Sequence, residues 1–233
     1  MLLTSDRGLT QESSGKTLVL GNRVPRDWFW FQGLGVSNQG YGDDPYHTIA
    51  FDIALRRGGV EDYNLMSYSS VLPAAAYGNI LKAEVGQDGS IPRPANIDVT
   101  PGSVLEVIMA ARSMTVPAGR TFAVATGLGL RWAANPKTPE TLRNGYVVVY
   151  DKSYEMAESK AAAQAEARTG LEASLQHILD IRELVPYGPS SEPDIVILAS
   201  HVDNADGSEP LYATQLTGIG CHGYLYPHLD SSN

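Results

Sequence analysis

One cysteine, Cys221, stands in 233 residues. A single thiol cannot form an intrachain disulfide, so a stapled extracellular scaffold is excluded and a reducing, cytoplasmic setting is expected. Charge is sparse as well: only 18% of residues are charged, against roughly 25% in an ordinary soluble domain. Lys and Arg number 17 against 26 Asp and Glu, a net charge of −9. No broad basic surface is available for a phosphate backbone, and nucleic acid is not expected as a partner. No apolar run approaches the roughly 20 residues of a spanning helix, and no membrane partner is expected. The opening MLLTSDRGLTQESS lacks the basic and apolar regions of a secretion signal. Gly33-x-Gly35 and Gly127-x-Gly129 lack the third glycine of a dinucleotide fingerprint and read as twisted or bulged strands. There is no G-x-S-x-G elbow. His201, Asp203, Cys221 and His222 match no common zinc spacing, so no metal is expected.

What is present is apolar and rich in turns. Hydrophobic residues make up 43%, with 23 glycines and 14 prolines, a composition suited to short strands joined by tight turns. Residues 1–16 are polar and aperiodic and read as a mobile arm; residues 17–233 read as one domain. Strands are expected at Lys16–Gly21, Asp27–Ser37, Tyr63–Val71, Ser103–Met114, Thr121–Trp132, Gly145–Tyr150, Asp194–His201 and Leu211–Tyr226. Asp44-Pro45 is a helix start with a capping carboxylate, and Gly58-Gly59 is its stop. Ser153–Ile181, rich in Ala, Glu, Lys, Gln and Leu, predicts a long helix. The elements interleave with no separating linker, so the fold class is α+β, a single layered sandwich.

The candidate chemistry lies in one constellation. Ser69-Ser70 closes an apolar stretch, with Pro73 beyond it, whereas the pairs at 13–14, 190–191 and 231–232 fall in loops or tails. A hydroxyl at the end of an apolar strand needs a partner, and a serine pair alone is also an ordinary strand end. The longer pattern is more specific: Phe51-Asp52-x-Ala54-Leu55, two glycines, then Asn64-Leu65-x-x-x-Ser69-Ser70-x-x-Pro73.

This segment resembles the pyruvoyl-dependent arginine decarboxylase family, with looser similarity over the rest of the chain. The resemblance implies a sandwich assembled as a homotrimer or higher oligomer of cleaved protomers, with active sites between neighbours. It implies self-cleavage between Ser69 and Ser70, residue 70 becoming a covalent pyruvoyl group that acts as electron sink for decarboxylation of arginine to agmatine. Asn64 matches the asparagine that orients the scissile peptide; alone, it reads equally as a turn amide. Asp52 matches the carboxylate that pairs with the substrate guanidinium, and Leu55 an apolar pocket residue, though a surface aspartate and a core leucine are the plain readings.

The chain departs from the family in one place. Where family members carry the proton-donating glutamate of a Gly-x-x-x-Glu-Tyr strand, this chain reads Gly145-Tyr146-Val147-Val148-Val149-Tyr150. Valine transfers no proton. Asp151, on the strand face of Val149, and Glu155, expected at the start of the long helix, are the nearest replacements. Tyr150 has a hydroxyl on the opposite face. Three readings stay open: an arginine decarboxylase, a pyruvoyl enzyme for another amino acid, or a non-catalytic member serving as a binding module.

Overall fold

A computed structural model describes residues 12–13, 16–17, 23–39, 45–155, 159–188 and 192–226. The short strands β1 (Glu12–Ser13) and β2 (Lys16–Thr17) pair with each other. The rest of the expected arm, the Lys16–Gly21 strand beyond Thr17, and Asp44 lie outside the described residues.

Two five-stranded sheets form the centre. The first runs β4 (Asn64–Ser67), β7 (Val104–Val116), β12 (Leu211–Leu225), β3 (Val24–Ser37), β6 (Ile80–Leu81). The second runs β10 (Val185–Pro186), β8 (Arg120–Asn135), β9 (Thr138–Glu155), β5 (Val71–Pro73), and β11 (Asp194–Asn204) also pairs with β8. Trp28, Ile108 and Ile219 of the first sheet meet Leu128, Leu130 and Val147 of the second in the largest core. A polar seam crosses the same layer. The Thr126 and Thr217 hydroxyls are 2.8 Å apart, and Gln215 donates to the Leu198 carbonyl at 2.8 Å. Such bonds remove most of the cost of burying these groups.

Each outer face carries one helix, giving four layers. Helix α1 (Pro45–Arg57) lays Ala54 and Leu55 against Phe29, Phe31 and Leu216. It begins at the expected proline, whose missing N–H is no loss in a first turn. Gly35 lets it come close: a methyl there would overlap the Ala50 carbonyl oxygen. Helix α2 (Lys160–Ile181) buries Ala163, Ala167, Leu171, Leu175 and Leu179, a four-residue repeat that makes one stripe. Each leucine contributes about 1.5–3 kcal/mol by leaving water. Gly127 and Gly129, expected in bulged strands, lie in unbroken register with β11 and face the Leu171 and Leu175 side chains. Their small size serves helix packing rather than a bulge.

Three expected boundaries move. The helix expected from Ser153 starts at Lys160, where the Ser159 hydroxyl accepts the Ala162 N–H; residues up to Glu155 instead pair with β8, Phe122 opposite Glu155. Local helix propensity loses there to a continuing ladder. The gap between the strands expected at Thr121–Trp132 and Gly145–Tyr150 shrinks, because β9 starts at Thr138 and carries Pro139 near its outer end. Most consequentially, the stretch Tyr63–Val71 is not one strand. It is β4 in the first sheet, a crossing at residues 68–70, and β5 in the second. Among the described residues no helix is long and apolar enough to cross a membrane.

Candidate functional site

The crossing between sheets is held from both sides. Tyr68 donates its N–H to the Val107 carbonyl of β7 at 2.7 Å, extending the β4–β7 pairing by one step. On the other side the Ser70 carbonyl accepts the Val147 N–H of β9 at 2.9 Å. Between these anchors the Ser69 carbonyl accepts the Val71 N–H at 2.9 Å, a three-residue turn centred on Ser70. The Ser69–Ser70 peptide bond is therefore one of the two that carry the chain from sheet to sheet. Both serines are exposed, and a donor polarises the carbonyl between them.

Beside this crossing lies a feature that pattern reading missed. Glu106 of β7 is the one buried carboxylate among the described residues, at 5% exposure. It forms an ion pair with Arg23 and accepts the Tyr224 hydroxyl at 2.5 Å. Its strand neighbours are Met66 and Cys221. Tyr68 sets its ring edge-on to Trp28, 6.2 Å between centroids. Burial, and then the charge of Glu106, raises the Tyr68 hydroxyl pKa above its ordinary value. Burial likewise pushes the Cys221 thiol up to about 11, leaving it unreactive at neutral pH. One acid inside the otherwise apolar run Val104–Ala110 was the signal available in the sequence, since an unpaired glutamate is almost never buried.

Val149, where the resemblance led us to expect a glutamate, faces the other way from α2. Tyr146, Val148 and Tyr150 pack toward α2, while Val147 joins the core between the sheets. Alternation puts Val149 and Asp151 on the Val147 face. Val149 is 48% exposed, because β5 pairs with β9 only as far as Tyr146. Asp151 and Glu155 are both exposed and lie near arginines, Arg112 at 3.8 Å and Arg120 at 3.7 Å. Glu155 ends β9 rather than starting the helix. Tyr150 is committed elsewhere: its hydroxyl lies 2.6 Å from that of Tyr154 and donates to Glu166 on α2 at 3.2 Å.

The remaining candidates do not converge on the turn within one protomer. Asp52 is exposed on α1, the outer layer of the first sheet. Leu55, 7% exposed, packs in the core beneath that helix. Asn64 opens β4 and its amide donates to the Gly102 carbonyl at 2.7 Å. Five residue steps separate it from Ser69, roughly 16 Å at a strand's rise.

Fold and turn together define a four-layer α+β sandwich in which an exposed serine pair carries the chain between sheets. The family model described as pyruvoyl-dependent arginine decarboxylase matches residues 36–219. Curated relatives agree. Pyruvoyl-dependent arginine decarboxylase AaxB of Chlamydia trachomatis serovar D is 35% identical over 164 residues, covering 70% of this chain and 78% of the relative. The Chlamydia pneumoniae AaxB is 32% identical over 170 residues, 73% of this chain and 81% of the relative. Pyruvoyl-dependent arginine decarboxylase 1 of Archaeoglobus fulgidus is 30% identical over 127 residues, 54% and 64% respectively. The chain belongs to the pyruvoyl-dependent arginine decarboxylase family, whose members work through a covalently bound pyruvoyl group. The residues here fit that group: position 70 is a serine, exposed, with a polarised carbonyl immediately before it.

Proposed function

We propose that the chain cleaves itself between Ser69 and Ser70 and that the product decarboxylates arginine to agmatine and carbon dioxide. The observation that carries this reading is the placement of Ser69-Ser70 at the hydrogen-bonded crossing between sheets. The Ser70 hydroxyl attacks the Ser69 carbonyl carbon; the C–N bond breaks, its nitrogen takes the hydroxyl proton, and an ester replaces the amide. Loss of the Ser70 α-proton then expels the Ser69 carboxylate. Water hydrolyses the resulting dehydroalanine to a pyruvoyl group and ammonia. When present, that group supplies an electron sink for the bond to the departing carboxylate.

The other residues divide the remaining tasks. A carboxylate at Asp52 suits the planar donor fork of a guanidinium. Asp52 and Ser70 occupy different layers of one protomer, which supports a homotrimer or higher oligomer in which a neighbour supplies Asp52. Leu55 acts by seating α1 under that carboxylate. Asn64 serves the crossing by fixing the start of β4 against Gly102. For the proton that Val149 cannot give, Asp151 shares its strand face and Glu155 lies further along the same strand. Glu106 with Tyr224 is a third, buried source beside Tyr68. The buried, lone Cys221 suits a reducing cytoplasm.

Val149 also supports a second reading, in which the same group acts on another amino acid. Carbon dioxide release across an amino-acid panel separates the two: turnover of arginine alone sustains the first, and turnover of a different amino acid with arginine inert sustains the second. Borohydride trapping of a substrate amine on the smaller-numbered end of residues 70–233 is expected under both. Its absence, in an uncleaved chain, would leave only a non-catalytic binding module.

A further inference from the structure

A cavity of about 350 Å³ opens on the edge of β8 that faces away from β9, in the gap between β10 and β11. Three aromatic rings line it. Tyr77 stands at 88° to Trp132 with centroids 5.2 Å apart, and at 79° to Tyr187 with centroids 5.4 Å apart. Tyr77 meets each of the other two rings in an edge-to-face contact, and the three make one aromatic wall. The Tyr187 N–H donates to the Trp132 carbonyl at 2.9 Å, which fixes the strand edge that carries two of the rings. Glu192 and Asp194 add two carboxylates to the lining. The one cation among the described lining residues, Arg131, alternates with Leu130 and Trp132 of the core between the sheets and so leans toward the α2 side.

Aromatic faces attract cations through the ring quadrupole, and nearby carboxylates reinforce that preference while opposing anions. The volume falls in the range of small-molecule sites, roughly 300–1,000 Å³. We propose that this cavity is a second ligand site, taking a small organic cation with an alkyl body and a guanidinium or ammonium head. It is separate from the Ser69–Ser70 crossing, which lies against the opposite edge of β9. The site does not depend on the decarboxylase reading, since none of its residues takes part in cleavage. Tyr77 nevertheless closes the 3-10 turn that follows β5, so a ligand here touches the segment that begins at Ser70.

The test is 19F NMR of the full-length protein labelled with 5-fluorotryptophan, its Trp132 signal assigned by Trp132→Phe. N-butylguanidine, N-butyltrimethylammonium and neutral N-butylurea are titrated in turn. A saturable shift of the Trp132 signal with either cation, absent with the urea, is expected; which cation acts fixes the head group. Tyr77→Ala and Asp194→Asn should each weaken that binding about ten-fold, Tyr77→Phe should preserve it, and Asp52→Asn and Ser70→Ala should leave it unchanged. No shift with either cation, an equal shift with the urea, or unchanged affinity in Asp194→Asn would overturn the proposal. Should Tyr77→Ala fail to fold, Asp194→Asn and Tyr77→Phe carry the decision.

Discussion

Two regions of the molecule, the turn at Ser69-Ser70 and the strand stretch from Val149 to Glu155, stand in opposite relation to the family they belong to. The turn keeps the serine pair and is tied to both sheets by backbone bonds. The strand keeps its ladder but carries Val149 at the place where the resemblance led us to expect an acid. On the proposed reading, the contrast teaches that making the reactive group and using it draw on separate parts of the fold. The proposed self-cleavage draws on a hydroxyl and a polarised carbonyl at the crossing; the proposed protonation after decarboxylation draws on an acid that Val149 does not supply. A chain can retain the first while the second is rebuilt or lost.

The sharpest way to break the comparison is Ser70→Ala. It removes the nucleophile, so both chain splitting and carbon dioxide release are expected to vanish, read by gel and by gas evolution; residual activity would sink the mechanism. Next in size is Val149→Glu. Restoring an acid should raise the decarboxylation rate by about 10²–10⁴-fold while the rate of splitting stays unchanged, and a variant no faster than the parent would show that another residue already does the work. That residue is sought by comparing Glu106→Gln, Asp151→Asn and Glu155→Gln. One of them should lose about 100-fold in kcat and one limb of its pH–rate profile, with splitting intact; equal small losses in all three would deny each the role. The smallest effect concerns the scaffold alone. Gly35→Ala forces a methyl into the Ala50 carbonyl and should cost about 2–4 kcal/mol in denaturant unfolding, lowering both regions' output by lowering the amount of folded protein rather than by changing either step.

Much of this arrangement was legible in the sequence because it is local. Pro45 and Gly58-Gly59 mark the ends of α1, and a composition rich in Ala, Glu, Lys, Gln and Leu marks α2, through rules that act within a few residues. The serine pair was legible as a motif, because its chemistry demands those residue types in order. The crossing was not. Nothing in Tyr63–Val71 distinguishes a strand that continues from one that leaves its sheet, since both halves have strand composition and the change is made by distant partners, Val107 on one side and Val147 on the other. Glu106 was hidden for the same reason: its partners Arg23 and Tyr224 are 83 and 118 residues away in the chain. Glu155 was misplaced because residues 153–155 have neutral local preference and follow the β8 ladder. Nor does spacing along the chain tell that Asp52 and Ser70 lie in different layers.

The central claim, that the crossing at Ser69-Ser70 is a self-cleaving bond, is tested most directly by intact mass measurement of the purified chain under denaturing conditions. The account requires two species, residues 1–69 ending in a free carboxylate and residues 70–233 beginning with a pyruvoyl group, the second lighter than the corresponding serine-initiated peptide by the loss of ammonia. A single species at the full 25.0 kDa, persisting after prolonged incubation, would contradict it.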